Sequence, residues 1–224
     1  MSIPNIKGQI IIGIIASVLL LLLPVQTWMQ FEITLIEAIA VVTSAWSVWL
    51  LSNNNPLGWW IGLVGVLAYT WVFYQVRLYG EVAIQLFYLV TSLQAIYSWL
   101  RGGENHTEKP IARISPRWIP WLVGILTVSV IGLRSLLIAM NGSAPFWDAL
   151  TTVASAIAQL LLMQRYVESW YLWIGVDTIY VPLYASRGLY LTSFLYAIFW
   201  LLAIGGLQNF KRLYSQQKQE KPEP

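Results

Sequence analysis

Five residues along one apolar stretch, Trp170, Trp173, Asp177, Tyr180 and Tyr184, recur at i, i+3, i+7, i+10 and i+14. That spacing puts all five on one face of an α-helix. Indole and phenol rings there could stack on a flat aromatic guest, and a carboxylate among them would pair with a positive charge on it, aided by cation–π contact. The blander reading is helix packing by the aromatics, with Asp177 a structural residue bonded to a neighbouring helix. Asp177 weighs against it. An ionised carboxylate midway along an apolar span costs at least ~2.5 kcal/mol on insertion scales, and such residues face a bundle interior or a water-filled cavity.

A second stretch places Glu81, Gln85, Tyr88 and Ser92 at i, i+4, i+7 and i+11. Gln85 and Ser92 can both donate and accept hydrogen bonds, as recognition of a ribose or a carboxamide requires. The alternative is hydrogen bonding between helices, typically worth ~0.6 kcal/mol in membranes. Glu81 sits near the end of its stretch and reads as interfacial; Gln94 and Gln159 are weaker candidates of the Gln85 kind. The expected substrate-binding set is Trp170, Trp173, Asp177, Tyr180, Tyr184, Gln85, Tyr88 and Ser92. No catalytic residue, metal or cofactor is expected. The chain has no cysteine, and its one histidine, His106, stands in a charged stretch without a partner for metal or triad chemistry.

The elements that must position these residues are membrane helices. The 224 residues are 58% hydrophobic and 10% charged, with a mean hydropathy of +0.63, whereas soluble domains carry about 25% charged residues. Apolar runs of about 16 to 20 residues match the length a helix needs to cross the bilayer, and ten-residue alternating strands of a barrel are not seen. Eight helices are predicted at Gln9–Trp28, Ile33–Leu51, Gly58–Tyr74, Glu81–Leu100, Trp118–Met140, Phe146–Met163, Ser169–Tyr184 and Tyr190–Gln208. Turns such as Ser52-Asn53-Asn54-Asn55-Pro56 and Asn141-Gly142-Ser143 join them, and the longest loop is Arg101–Arg117.

Threading eight spans puts Lys7, Arg101, Lys109, Arg113, Arg117, Arg165, Lys211, Arg212, Lys218 and Lys221 on one side, against Arg77, Arg134 and Arg187. Positive residues favour the cytoplasm, so both termini are expected there. The first helix reads as retained, because no small-x-small cleavage site follows it. The basic tail is an orientation signal and a solvated end, so no nucleic-acid partner is expected. The bilayer and a small molecule are, and a homo-oligomer is left open.

Sliding the chain against itself by 111 positions superposes Glu37 on Asp148, Ser44-Ala45 on Ser155-Ala156, Trp59 on Trp170, Tyr69 on Tyr180, Leu78-Tyr79 on Leu189-Tyr190, and Arg101 on Arg212. Helices two to four thus map onto six to eight, with the fifth between. Three helices is an odd number, so the intervening one restores the orientation of the second unit. The expected architecture is an all-α integral membrane, SWEET-like fold: two parallel three-helix repeats joined by a linker helix, plus an extra N-terminal helix, with the substrate between the repeats. The divisions are 1–32 for the N-terminal helix, 33–101 for the first repeat, 102–145 for the cytoplasmic loop and linker helix, 146–210 for the second repeat, and 211–224 for the cytoplasmic tail. This repeat argues for transport. An enzyme would need clustered titratable groups at a membrane face, and a signalling subunit a soluble appendage.

Small residues Gly58, Gly62 and Gly65 read first as helix packing, although Gly62 is the repeat mate of Trp173 and could leave an asymmetric pocket. Trp46 and Trp49 suit either a cavity or lipid. Glu37 and Asp148, beginning their helices, read as capping residues at the positive dipole end.

Taken together, Tyr74-Gln75-Val76-Arg77-Leu78-Tyr79-Gly80, Gln85-Leu86-Phe87-Tyr88, Phe146-Trp147-Asp148 and above all Arg165-Tyr166-Val167-Glu168-Ser169-Trp170-Tyr171-Leu172-Trp173 closely resemble the PnuC transporters of nicotinamide riboside and related vitamins, over about Glu37 to Arg212. The resemblance implies a SWEET-like fold and facilitated diffusion without a coupling ion, after which a cytoplasmic kinase traps the vitamin. It also implies that Trp170 and Trp173 contact the aromatic base and that Gln85 is among the polar contacts. Gly65, Ser92 and Asp177 depart from asparagines of some nicotinamide riboside carriers, and Gln94-Ala95-Ile96 from their Tyr-Gly-Trp run. Nicotinamide riboside and thiamine, both positively charged aromatic rings, therefore stand as alternatives; neutral riboflavin fits Asp177 least.

Overall fold

A computed structural model describes residues 6–22, 34–75, 79–140, 145–186 and 190–220. Among the described residues there are eight α-helices: α1 (Ile6–Leu22), α2 (Leu35–Ser52), α3 (Leu57–Gln75), α4 (Tyr79–Arg101), α5 (Ile119–Ala139), α6 (Pro145–Met163), α7 (Glu168–Ser186) and α8 (Tyr190–Glu220). Short 3-10 turns at Glu104–His106 and Pro116–Trp118 punctuate the α4–α5 loop. Six helical segments are long and apolar enough to cross a membrane, namely Leu35–Ser52, Leu57–Gln75, Val82–Arg101, Pro116–Ala139, Pro145–Met163 and Ser193–Gln219. Within the described residues α1 is shorter, and α7 falls outside this set because it carries the acids and most of the tryptophan and tyrosine of the candidate face. Leucine, isoleucine and valine side chains at Val128, Ile131 and Leu201 are left exposed, as a hydrocarbon solvent requires. The all-α, multi-pass membrane class is therefore the observed one.

Adding 111 to the bounds of α3 reproduces those of α7, and α2 and α4 likewise fall within a residue of the starts of α6 and α8. One boundary differs from the sequence expectation by a wide margin. The predicted eighth helix stops with its apolar run at Gln208, whereas α8 continues to Glu220. Nothing between Asn209 and Gln219 breaks a helix, and Lys, Arg, Gln and Leu are good helix formers. Arg77, Arg187, Lys221 and the turn Asn141-Gly142-Ser143 lie outside the described residues.

The chain forms two compact units, one of residues 1–50 and 57–93, the other of 51–56 and 94–224. In the first, α2 begins with a capping box. Thr34 N donates to Glu37 Oε2 at 2.7 Å and Glu37 N to Thr34 Oγ1 at 3.3 Å. Two tryptophans then bind α1: Trp46 Nε1 donates to Ser17 Oγ and Trp49 Nε1 to Gln9 Oε1, each at 2.9 Å. Trp46 and Trp49, for which a cavity and lipid were the two alternatives, instead pack against a neighbouring helix. Gly62 and Gly65 also serve helix packing. A Cβ at Gly62 would lie 2.7 Å from Ser47 Oγ, and one at Gly65 2.8 Å from Ser44 Oγ, so α2 fills the space the missing side chains leave.

In the second unit, α6 packs on α7 and α7 on α8. Trp200 Nε1 donates to Thr178 Oγ1 at 3.0 Å and Ser193 Oγ to the Val181 carbonyl at 2.8 Å, tying α7 to α8 in the stretch just before Pro182. The α4–α5 loop is strapped to the α6–α7 turn: Ala112 N donates to Arg165 O at 3.1 Å, Val167 N to Ala112 O at 3.0 Å, and Ile114 N to Glu168 Oε2 at 3.0 Å.

Candidate substrate site on the seventh helix

Along α7 the less exposed face is the one the aromatic spacing picks out. Trp170 and Asp177 are buried, Trp173, Tyr180 and Tyr184 are half-buried, and Tyr171, Gly175 and Thr178 off that face are exposed. Asp177 is 4% exposed and, among the described residues, has neither a hydrogen bond nor an ion pair. Its carboxyl is thus turned away from lipid and left without a protein partner, an arrangement that is costly in an apolar setting unless a guest or water completes it.

One turn beyond, the rings gather. Tyr180 and Tyr184 lie 5.3 Å apart between centroids, and Tyr196 of α8 sits 4.6 Å from the first and 5.2 Å from the second, stacked on it at 12°. Phe199 closes on Tyr196 edge-on at 5.7 Å. The sequence reading missed Tyr196 and Phe199, because their partner rings are on another helix and no spacing within α8 announces them.

Trp170 has a different setting from Trp173. Its indole is 2% exposed, packs edge-on against Phe210 at 5.4 Å, and overlies Gly206. Its Nε1 has no hydrogen-bond acceptor among the described residues. Trp173, half-buried, keeps part of its ring free. In the first unit, Gln85 and Tyr88 on α4 are half-buried, Tyr88 lies 5.7 Å from Phe87, and Ser92 is buried at 4% exposure. The structure thus brings Tyr180 and Tyr184 together with Tyr196 and sets Asp177 one turn before them on the same face. No three His, Cys, Asp or Glu side chains cluster as metal ligands would among the described residues.

At the loop end of α7, Arg165 is 3% exposed and its guanidinium stands 4.6 Å above the Trp99 ring. Burial pushes its pKa down, and Glu108, 3.5 Å away, opposes that. Burial likewise lowers the pKa of Lys109, which donates to Gln164 Oε1.

Six helices of membrane-spanning length, with an acid buried on α7 and without a partner among the described residues, define a multi-pass membrane protein, the class to which transporters belong. A match to the nicotinamide mononucleotide transporter family runs over residues 34–212, and the chain belongs to that family of transporters, the PnuC family. It is 26% identical over 206 residues to the nicotinamide riboside transporter PnuC of Escherichia coli (strain K12), covering 79% of this chain and 84% of that one. Against the Haemophilus influenzae protein of the same name it is 26% identical over 200 residues, covering 87% of each. The riboflavin/roseoflavin transporter RibM of Streptomyces davaonensis is 23% identical over 141 residues, 60% of this chain and 65% of its own. The fold resembles the crystal structure of the vitamin B3 transporter PnuC with a TM-score of 0.74 at 21% identity, over 96% of this chain and 94% of that one.

Proposed function

We propose that this chain carries nicotinamide riboside across the bacterial inner membrane by facilitated diffusion, for use in NAD synthesis. The observation that carries the reading is Asp177, a buried carboxyl with no partner among the described residues, set on the aromatic face of α7. A flat, positively charged ring answers both halves of that site at once, by ion pairing and by ring contact. The relatives in Escherichia coli and Haemophilus influenzae are named for the same vitamin. Trp170, Trp173, Asp177, Tyr180 and Tyr184 are the proposed contacts in the second unit. Gln85, Tyr88 and Ser92 on α4 are proposed as hydrogen-bonding residues suited to a ribose or carboxamide. The matching bounds of α2–α4 and α6–α8 support two parallel three-helix repeats in the SWEET manner, with α1 preceding them and α5 linking them. The lysine and arginine distribution supports cytoplasmic termini.

Thiamine is the second reading, since it too is a cationic aromatic. Similarity to RibM favours a flavin, but riboflavin is neutral and leaves Asp177 without a counter-charge. The test is uptake of labelled nicotinamide riboside into liposomes holding only this protein, with unlabelled thiamine and riboflavin as competitors. Uptake that needs no sodium or proton gradient, and that stops at the external concentration when the membrane potential is clamped at zero, is the expected result. Absence of nicotinamide riboside uptake with rapid thiamine uptake would reassign the substrate.

A further inference from the structure

Asn54 and Arg165 are repeat mates, 111 positions apart, in the α2–α3 and α6–α7 turns. Both adopt left-handed backbone, with φ of 58° and 61°. Asparagine tolerates that conformation; it is uncommon for arginine. Strained positions of this kind persist where their surroundings over-determine them, and they collect at switch regions.

The surroundings of Arg165 are specific. Nη2 and Nε donate to Asn54 Oδ1 at 3.0 and 3.3 Å, Nη1 donates to the Lys109 carbonyl, and Nη2 reaches Glu108 Oε2 at 3.5 Å. Trp99, near the end of α4, lies under the guanidinium and donates its own Nε1 to Leu162 O at 3.1 Å. One buried side chain thus joins the α2–α3 turn, the end of α4, the α4–α5 loop and the α6–α7 turn. Its closest partners are neutral acceptors. Among the described residues its one carboxylate, Glu108, is 67% exposed. A buried cation without a buried counter-ion is held only while those acceptors converge, and water compensates it when they part.

We propose that Arg165 and Asn54 form a latch: a buried cation that closes the loop end of this unit and releases in the transport cycle to open it. The proposal rests on membership of a transporter family, not on which vitamin is carried.

The test uses the absence of cysteine from the chain. Ser169, 0% exposed and one turn past Arg165, becomes the reporter as Ser169→Cys. Thr151→Cys, 1% exposed and near the opposite end of α6, is the control. Both are labelled with a maleimide in proteoliposomes without substrate. Asn54→Gly removes the acceptor while keeping the left-handed turn, and Arg165→Gln removes the charge. Either should speed labelling of the Ser169→Cys reporter by about tenfold or more, the size of one charge-assisted hydrogen bond in an equilibrium, and leave the Thr151→Cys control unchanged. The two together should add little to either alone. Unchanged labelling of the reporter in Asn54→Gly, or equal acceleration of reporter and control, overturns the latch. Because no substrate enters the assay, the latch can fail while vitamin uptake stands, and the reverse.

Discussion

Gly206 of α8 lies so close against the Trp170 indole that a Cβ there would sit 2.7 Å from three of its ring atoms. Two helices that carry the candidate site are therefore held in register by the absence of a side chain. Gly206→Ala should destabilise the protein by about 1–3 kcal/mol, the usual cost of overpacking, as a fall in its thermal unfolding midpoint in detergent. Combining it with Trp170→Phe, which removes the fused ring, should recover part of the loss. A Gly206→Ala variant as stable as the parent would mean that α7 and α8 shift apart freely.

Asp177→Asn keeps the shape of the side chain and removes its charge. With the carboxyl 4% exposed and unpaired among the described residues, the charge has a cationic guest as its natural partner. Binding of nicotinamide riboside should weaken by tenfold or more, about 1.4 kcal/mol, while a neutral analogue with the reduced ring is little affected. Calorimetric titration of both ligands decides it, and equal losses for the two would remove charge pairing from the mechanism.

Much of this was legible in the sequence for a plain reason: the residues of α7 signal through a spacing within one helix, which periodicity reads directly. The bounds of α2 to α7 were legible in apolar runs ended by turn residues, and the burial of Asp177 in the cost of a carboxylate in hydrocarbon. Contacts between helices carry no such signal. Tyr196 joins Tyr180 and Tyr184 from α8, and Arg165, read as a surface charge for orientation, is buried under the loop. Part of the Tyr166-Val167-Glu168 motif serves that loop as well, through the Val167 amide and the Glu168 carboxylate. The end of α8 was missed because hydropathy marks where a span stops, not where a helix does.

Trp173 and Trp170 differ in exposure, and their replacement should differ in consequence. Trp170 is packed on Gly206 and Phe210, so Trp170→Ala empties a core position and should cost about 3–5 kcal/mol of stability. Trp173 is half-buried, and Trp173→Ala should abolish vitamin binding with the unfolding midpoint nearly unchanged. Normal binding by the folded Trp173→Ala protein would show that the site has been misplaced along α7.

The first helix lies before the family match at 34–212, and its attachment is local. Trp46 and Trp49, T-shaped to each other at 5.4 Å, hold it through Ser17 and Gln9, and Gly13 leaves room for the Trp46 ring, which a Cβ would approach to 2.9 Å. Hydrogen bonds between membrane helices are worth ~0.6 kcal/mol each, so Trp46→Phe and Trp49→Phe should each cost at least that much, with the loss of indole packing added to it. Gly13→Leu should cost more, because it drives a branched side chain into the indole. None of these contacts involves a proposed substrate residue. Uptake into liposomes should therefore survive all three substitutions, and deletion of residues 1–33 as well, with a lowered unfolding midpoint. Loss of uptake in a deletion variant that remains folded would give α1 a part in transport that its contacts do not suggest.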